Sequence, residues 1–122
     1  MKTDWIPKSD EEMEKIRQQT KKQFPMITNS ELINISAFFK GLGDETRLKI
    51  IFLLWMEDLC MCEIVAALNG ASSTISHHLK IMEKGGIIKS RREGRFTIYR
   101  VNKDKLAPII AYLNKGSDEI PR

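Results

Sequence analysis

The sequence predicts a mainly α-helical chain carrying one β-hairpin, and three observations support that expectation. Apolar residues recur at helical spacing along most of its length, as in Leu106, Ile109, Ile110 and Leu113. Two helical stretches flank a turn signal at Asn69-Gly70. After Gly85-Gly86 the period changes: Ile87 to Arg92 and Phe96 to Val101 are short runs rich in β-branched and aromatic residues, separated by Glu93-Gly94-Arg95.

The elements follow in order. Trp5 to Lys8 reads as a loose arm. Ser9 with Glu12 three residues on forms a capping-box pattern, so a first helix runs to about Gln23 and Pro25 ends it. Its apolar residues are few, Met13 and Ile16 with Phe24 beyond, and such a helix needs another surface to lie on. Asn29 or Ser30 caps a second helix with Leu32, Ile35, Phe38 and Phe39, which ends at Gly41 and Gly43. A third begins near Asp44 and carries Leu48, Ile51, Phe52 and Trp55; both are expected to be core helices. Asp58 is the expected cap of a short fourth helix holding Ile64, Val65 and Leu68. A fifth opens at Ser72 or Ser73, carries Ile75, Leu79 and Met82, and stops at Gly85-Gly86. The two helices and their brief turn read as a helix-turn-helix, and the hairpin after them as a wing with a basic tip. Pro108 is tolerable in the sixth helix only near its first turn, and the residues from Gly116 onward read as frayed.

Composition narrows the function classes. The 122 residues, 42% hydrophobic and 30% charged, suit one compact domain that folds without disulfides. The longest apolar stretch, Ile50 to Met56, is about a third of a membrane span, and no leader pattern opens the chain, so a cytoplasmic location is expected. Two cysteines, Cys60 and Cys62, make a poor disulfide framework. The net charge of +4 is modest, but Lys84, Lys89, Arg91, Arg92, Arg95 and Arg100 stand against a single acid, Glu93, between residues 84 and 100. No carboxylate pair, nucleophile with its base, or phosphate loop is present, and no enzymatic activity is expected.

At about 100° per residue, Ile75, Leu79 and Met82 define the buried side of the fifth helix. Ser73, His77, Lys80 and Lys84 then point outward with Ser76 on the flank, while His78 lies nearer the core and reads as a packing histidine. Small hydroxyls, one imidazole and lysines suit close approach to base edges and phosphates. The candidate DNA-contacting set is Ser72, Ser73, Thr74, Ser76, His77 and Lys80 on the helix, with Arg91, Arg92 and Arg95 on the wing. A protein-binding winged-helix adaptor is the alternative, for which acids or an apolar patch would be expected in place of the arginines.

From Phe39 to Val101 the chain resembles the ArsR/SmtB-type winged-helix regulators, through "LGDETRLKII", "SSTISHHLKIMEKGGII" and "REGRFTIYRV". The resemblance implies a homodimer joined through its first and last helices, bound to a palindromic operator as a repressor and released by a signal. It departs where Ala71 replaces the usual serine before the recognition helix, which moves the cap to Ser72 or Ser73. The organisation expected is one domain over 1–122: an arm and helix at 1–28, a DNA-binding core at 29–101 with its wing at about 87–101, and a dimerisation helix at 103–115.

Cys60 and Cys62, in "DLCMCEI", resemble the family's metal- and metalloid-sensing sequence, which implies a soft ion such as As(III), Cd(II), Zn(II) or Cu(I). The site is incomplete: Val65 stands where a third cysteine can occur, the arm has none, and both histidines lie on the reading helix. Residues i and i+2 of a helix are also about 200° apart, so both sulfurs meet one ion only if the helix begins there. Packing, soft-ion sensing completed by an outside ligand, thiol redox sensing, and a regulator without metal response all stay open.

Overall fold

The computed structural model describes residues 4–119 and divides into two compact units, Met1–Asn34 and Ile35–Arg122. The boundary between the units falls inside the second helix. In the first unit, α1 (Asp10–Gln23) starts on the expected capping box: Ser9 Oγ accepts from the Glu12 N–H at 3.2 Å, and Glu12 accepts from the Ser9 N–H at 3.0 Å. No residue of α1 is buried. Pro25 opens a single 3-10 turn, Pro25–Thr28, and Asn29 Oδ1 accepts from the Glu31 N–H at the head of α2 (Glu31–Leu42).

The second unit holds the core. α3 (Glu45–Met56) buries Ile50, Ile51 and Leu54; α4 (Met61–Leu68) adds Ile64; α5 (Ser72–Lys84) adds Ile75, Leu79 and Met82. Ile87, Ile88, Tyr99 and Val101 of the hairpin and Leu106 of α6 (Lys103–Glu119) close it. The sheet has three antiparallel strands in the order β1 (Leu59–Cys60), β3 (Phe96–Val101), β2 (Ile88–Glu93). Glu93 pairs with Phe96, leaving Gly94-Arg95 as a two-residue loop, and Gly94 at φ +60° supplies the left-handed residue that such a loop needs first. No helix among the described residues is long and apolar enough to cross a membrane.

Several expectations are corrected. Asp58 does not cap α4: Leu59 and Cys60 pair with Tyr99 and Ile98, so the helix starts only after Cys60, which occupies the cap position. Neither Ser72 nor Ser73 caps α5; Ala71 does, in extended conformation and without a side-chain bond, so both serines lie inside the first turn. α2 joins the core only in part. Phe39 is 60% exposed and Leu32 and Ile35 are exposed as well, whereas Phe38 and Leu42 are half-buried against the core and Gly41 is buried, where it meets the Ile87 side chain. Pro108 is the sixth residue of α6 rather than a first-turn residue, and the helix continues through it. Residues 116–119, expected to fray, are helical, and 120–122 lie outside the described residues.

The close of α5 requires glycine for space. A Cβ on Gly85 would stand 2.6 Å from the Ala37 carbonyl oxygen, which is backbone and cannot rotate away. Gly85→Ala should therefore destabilise the protein by about 1–3 kcal/mol, read as a lower urea midpoint at unchanged slope.

Candidate nucleic-acid interface

α5 is oriented by what it buries. Ile75, Leu79 and Met82 face the core, and Ser72, Ser73, Thr74, His77 and Lys80 are exposed with Ser76 half-buried beside them. His78 takes the other course, with its side chain 12% exposed. Its Nδ1 lies 3.1 Å from Arg47 Nη1, and since arginine only donates, Nδ1 accepts. Asp44 completes this contact from α3: its Oδ2 accepts the Arg47 backbone N–H at 3.1 Å and stands 3.8 Å from His78 Nδ1. That backbone bond is the main reason the Asp44 carboxyl lies below its usual range. The start of α3 is thus pinned to the middle of α5, a link that sequence reading missed, though "DETR" and "HH" carried its residues.

The wing sorts its arginines by face. Successive strand residues alternate sides, so Ser90 and Arg92 share the core-facing side with Ile88, while Lys89 and Arg91 lie on the outer side. Ser90 Oγ donates to Glu83 of α5 at 3.2 Å. Arg92 donates to Thr97 Oγ1 at 3.2 Å and to the Gly94 carbonyl at 3.4 Å, and Arg95 stands 5.3 Å over the exposed Phe96 ring. Arg92 and Arg95 are therefore at the tip and exposed. Arg91 differs: its guanidinium is held by Asp58 at 3.0 Å and Glu93 at 3.1 Å, and these hydrogen bonds push its pKa above the ordinary value. Arg100 binds the same Asp58 at 3.2 Å. The nine predicted contact residues thus form a helix face and a wing tip, with Arg91 set apart.

The thiols meet because of the corrected helix start. Cys60, at φ −80° and ψ 164°, is extended rather than helical, which removes the 200° separation expected within one helix. Its thiol lies against the Cys62 sulfur; that hydrogen bond first, and burial second, push the Cys60 thiol up from its ordinary range. Cys60 is buried and Cys62 exposed. The Cys60 N–H donates to Glu63 Oε1 at 3.0 Å, which lowers the Glu63 carboxyl. Among the described residues, no group of three or more His, Cys, Asp or Glu side chains is placed to hold a metal ion. The donor set is two adjoining sulfurs, which suits a soft ion that brings its remaining ligands with it.

Comparison with known proteins gives a consistent result. Residues 44–90 match the family described as bacterial regulatory protein, arsR family. An uncharacterized HTH-type transcriptional regulator of Methanocaldococcus jannaschii is 41% identical over 78 residues, 63% of this chain and 88% of that one. The cadmium resistance transcriptional regulatory protein CadC of Listeria innocua is 37% identical over 81 residues, 66% of this chain and 68% of that one. The solution structure of a homodimeric winged helix-turn-helix DNA-binding domain from Mycobacterium bovis superposes with a TM-score of 0.68 at 23% identity, over 97% of this chain and 94% of that one.

The burial and raised pKa of Cys60 predict unequal thiols. A raised pKa leaves less thiolate at a given pH, so iodoacetamide near neutral pH should label Cys62 first, with Cys60 following as pH rises above the ordinary thiol range. Peptide mass spectrometry reads the order; equal labelling at neutral pH would contradict the arrangement.

Proposed function

The chain belongs to the arsR family of bacterial regulatory proteins, and from that premise we propose that this winged helix-turn-helix transcriptional regulator is a homodimeric repressor working in the cytoplasm on a palindromic operator. The observation that carries this reading is the outward face of α5: hydroxyls, one imidazole and a lysine, beside a wing tip with Arg92 and Arg95. A helix of that kind fits the major groove, where Ser76 and His77 read base edges and Ser72, Ser73, Thr74 and Lys80 meet the sugar-phosphate backbone. Arg92 and Arg95 reach the neighbouring phosphates or minor groove. Dimerisation accounts for apolar residues otherwise left in water: Met13 and Phe24 in the N-terminal unit, Tyr112 and Leu113 on α6. Two copies of α5 then address half-sites about one helical turn, roughly 34–36 Å, apart.

Cys60 and Cys62 are the sensing element in this reading. A soft ion, As(III), Cd(II), Zn(II) or Cu(I), bound through both sulfurs, or oxidation of the pair, lowers operator affinity. A coupling of about 1–3 kcal/mol is enough for a 5- to 150-fold loss. The support is the contact between the two sulfurs at the start of α4.

Two measurements test the proposal. In fluorescence anisotropy, Lys80→Ala, Arg92→Ala and Arg95→Ala should weaken binding to all sequences and each lower the salt slope by about 1, whereas Ser76→Ala and His77→Ala should change the preference among sequences. A protein indifferent to DNA at low salt would instead be an adaptor. Operator-bound, reduced protein titrated with the four ions and with an oxidant should release DNA, and Cys60→Ser/Cys62→Ser protein should not; identical curves would remove the thiols from the mechanism.

A further inference from the structure

A signal at the thiols has two routes to DNA. One runs through α4, whose Ile64 shares the core with α5. The other runs through β1 into the wing, and its contacts are directional. Cys60 pairs with Ile98, and Ile98 pairs in turn with Arg91, so these three residues form one row across the sheet. Continuing the register one residue beyond Leu59 and Tyr99 sets Asp58 beside Arg100 and Lys89, two residues along from the Cys60 row and therefore on the same face. Asp58 bonds within its own row to Arg100 and diagonally to Arg91 of the Cys60 row. Asp58 Oδ2 accepts from Arg91 Nη1 of β2 at 3.0 Å and from Arg100 Nε of β3 at 3.2 Å. One carboxylate, its side chain 27% exposed, therefore ties the segment leading into Cys60 to both strands of the hairpin.

Cys60 belongs to this sheet rather than to α4, so a ligand that draws both sulfurs onto one atom acts first on a residue bonded to the wing. We infer that Asp58 is the positioning residue through which the thiol pair controls the wing: a ligand bridging Cys60 and Cys62 displaces β1, the carboxylate loses its grip on Arg91 and Arg100, and the tip with Arg92 and Arg95 loses its setting beside α5. Arg91 and Arg100 serve the clamp instead of phosphate contact. The inference rests on reading Cys60 and Cys62 as the sensing element and adds the route.

Phenylarsine oxide is a suitable probe because it needs only two thiols. Both give up their protons to its oxygen, two As–S bonds form, and the oxygen leaves as water. In wild-type protein it should lower operator affinity by about tenfold or more, within the range of allosteric couplings, and shift the Gly94 and Arg95 amide resonances. Asp58→Asn, which breaks the clamp without any ligand, should already bind operator about as weakly as treated wild type, with the Gly94 and Arg95 resonances near their treated positions, and should respond little further, while Asp58→Glu restores both affinity and response. Arg100→Gln breaks the same clamp from the other side and should uncouple likewise, which guards against a folding defect peculiar to one variant. If Asp58→Asn and Arg100→Gln retain the full fall in affinity, the route is through α4 and α5, and the inference fails while the thiol reading stands. If wild type takes up the arsenical at both thiols and keeps its affinity, both fail.

Discussion

Everything the site presents to solvent depends on the seating of α5 in the core. Ile75, Leu79 and Met82 leave water almost completely, and at about 1.5–3 kcal/mol per buried side chain of this size they outweigh any preference of the polar residues on the other side. Once they are fixed, the helix cannot rotate, and Ser73, His77 and Lys80 have no direction but outward. Two further contacts remove the remaining freedom. His78 is held by Arg47 near the middle of the helix, and Gly85 lets its end come close to the backbone of α2. The polar face of α5 is thus specified mainly by apolar residues on its opposite side.

The wing is governed by a different kind of force. Its inner side joins the core through Ile88, Tyr99 and Val101, while its outer side is organised by charge. Surface ion pairs taken singly contribute little, but Asp58 is shared between two arginines on two strands, and it lies two residues from a sulfur. The consequence is a division among the arginines. Those at the tip are available to a polyanion, and those at the base join the hairpin to the thiol segment. A basic run that reads as one patch in sequence is two groups, Arg91 and Arg100 held by Asp58, and Arg92 and Arg95 at the tip apart from it.

The helices, the hairpin and the outward face of α5 were legible in the sequence because each is a periodic pattern several residues long. Leu79 and Met82 repeat at helical spacing, and Glu93-Gly94-Arg95 interrupts two runs of strand formers. What was not legible is short or non-local. β1 is only two residues, too few to show alternation, and it exists because β3 offers it an edge. Missing it placed the start of α4 at Asp58 and made the two sulfurs look separated. The charge pairs of Asp58 with Arg91 and Arg100 span more than thirty residues, and no spacing rule connects them. α2 was only partly legible for another reason: periodicity says that a face is apolar, not how much of it is covered, and Phe38 packs on the core while Leu32, Ile35 and Phe39 are exposed.

The most direct test of the account is a map of backbone amide perturbations as an operator duplex is added to the labelled protein. Amides in the first two turns of α5, from Ser72 to about Leu79, and at Gly94 and Arg95 should move together and saturate at one duplex per pair of chains. Perturbations confined to α2 and α6, with α5 and the wing tip silent, would contradict it.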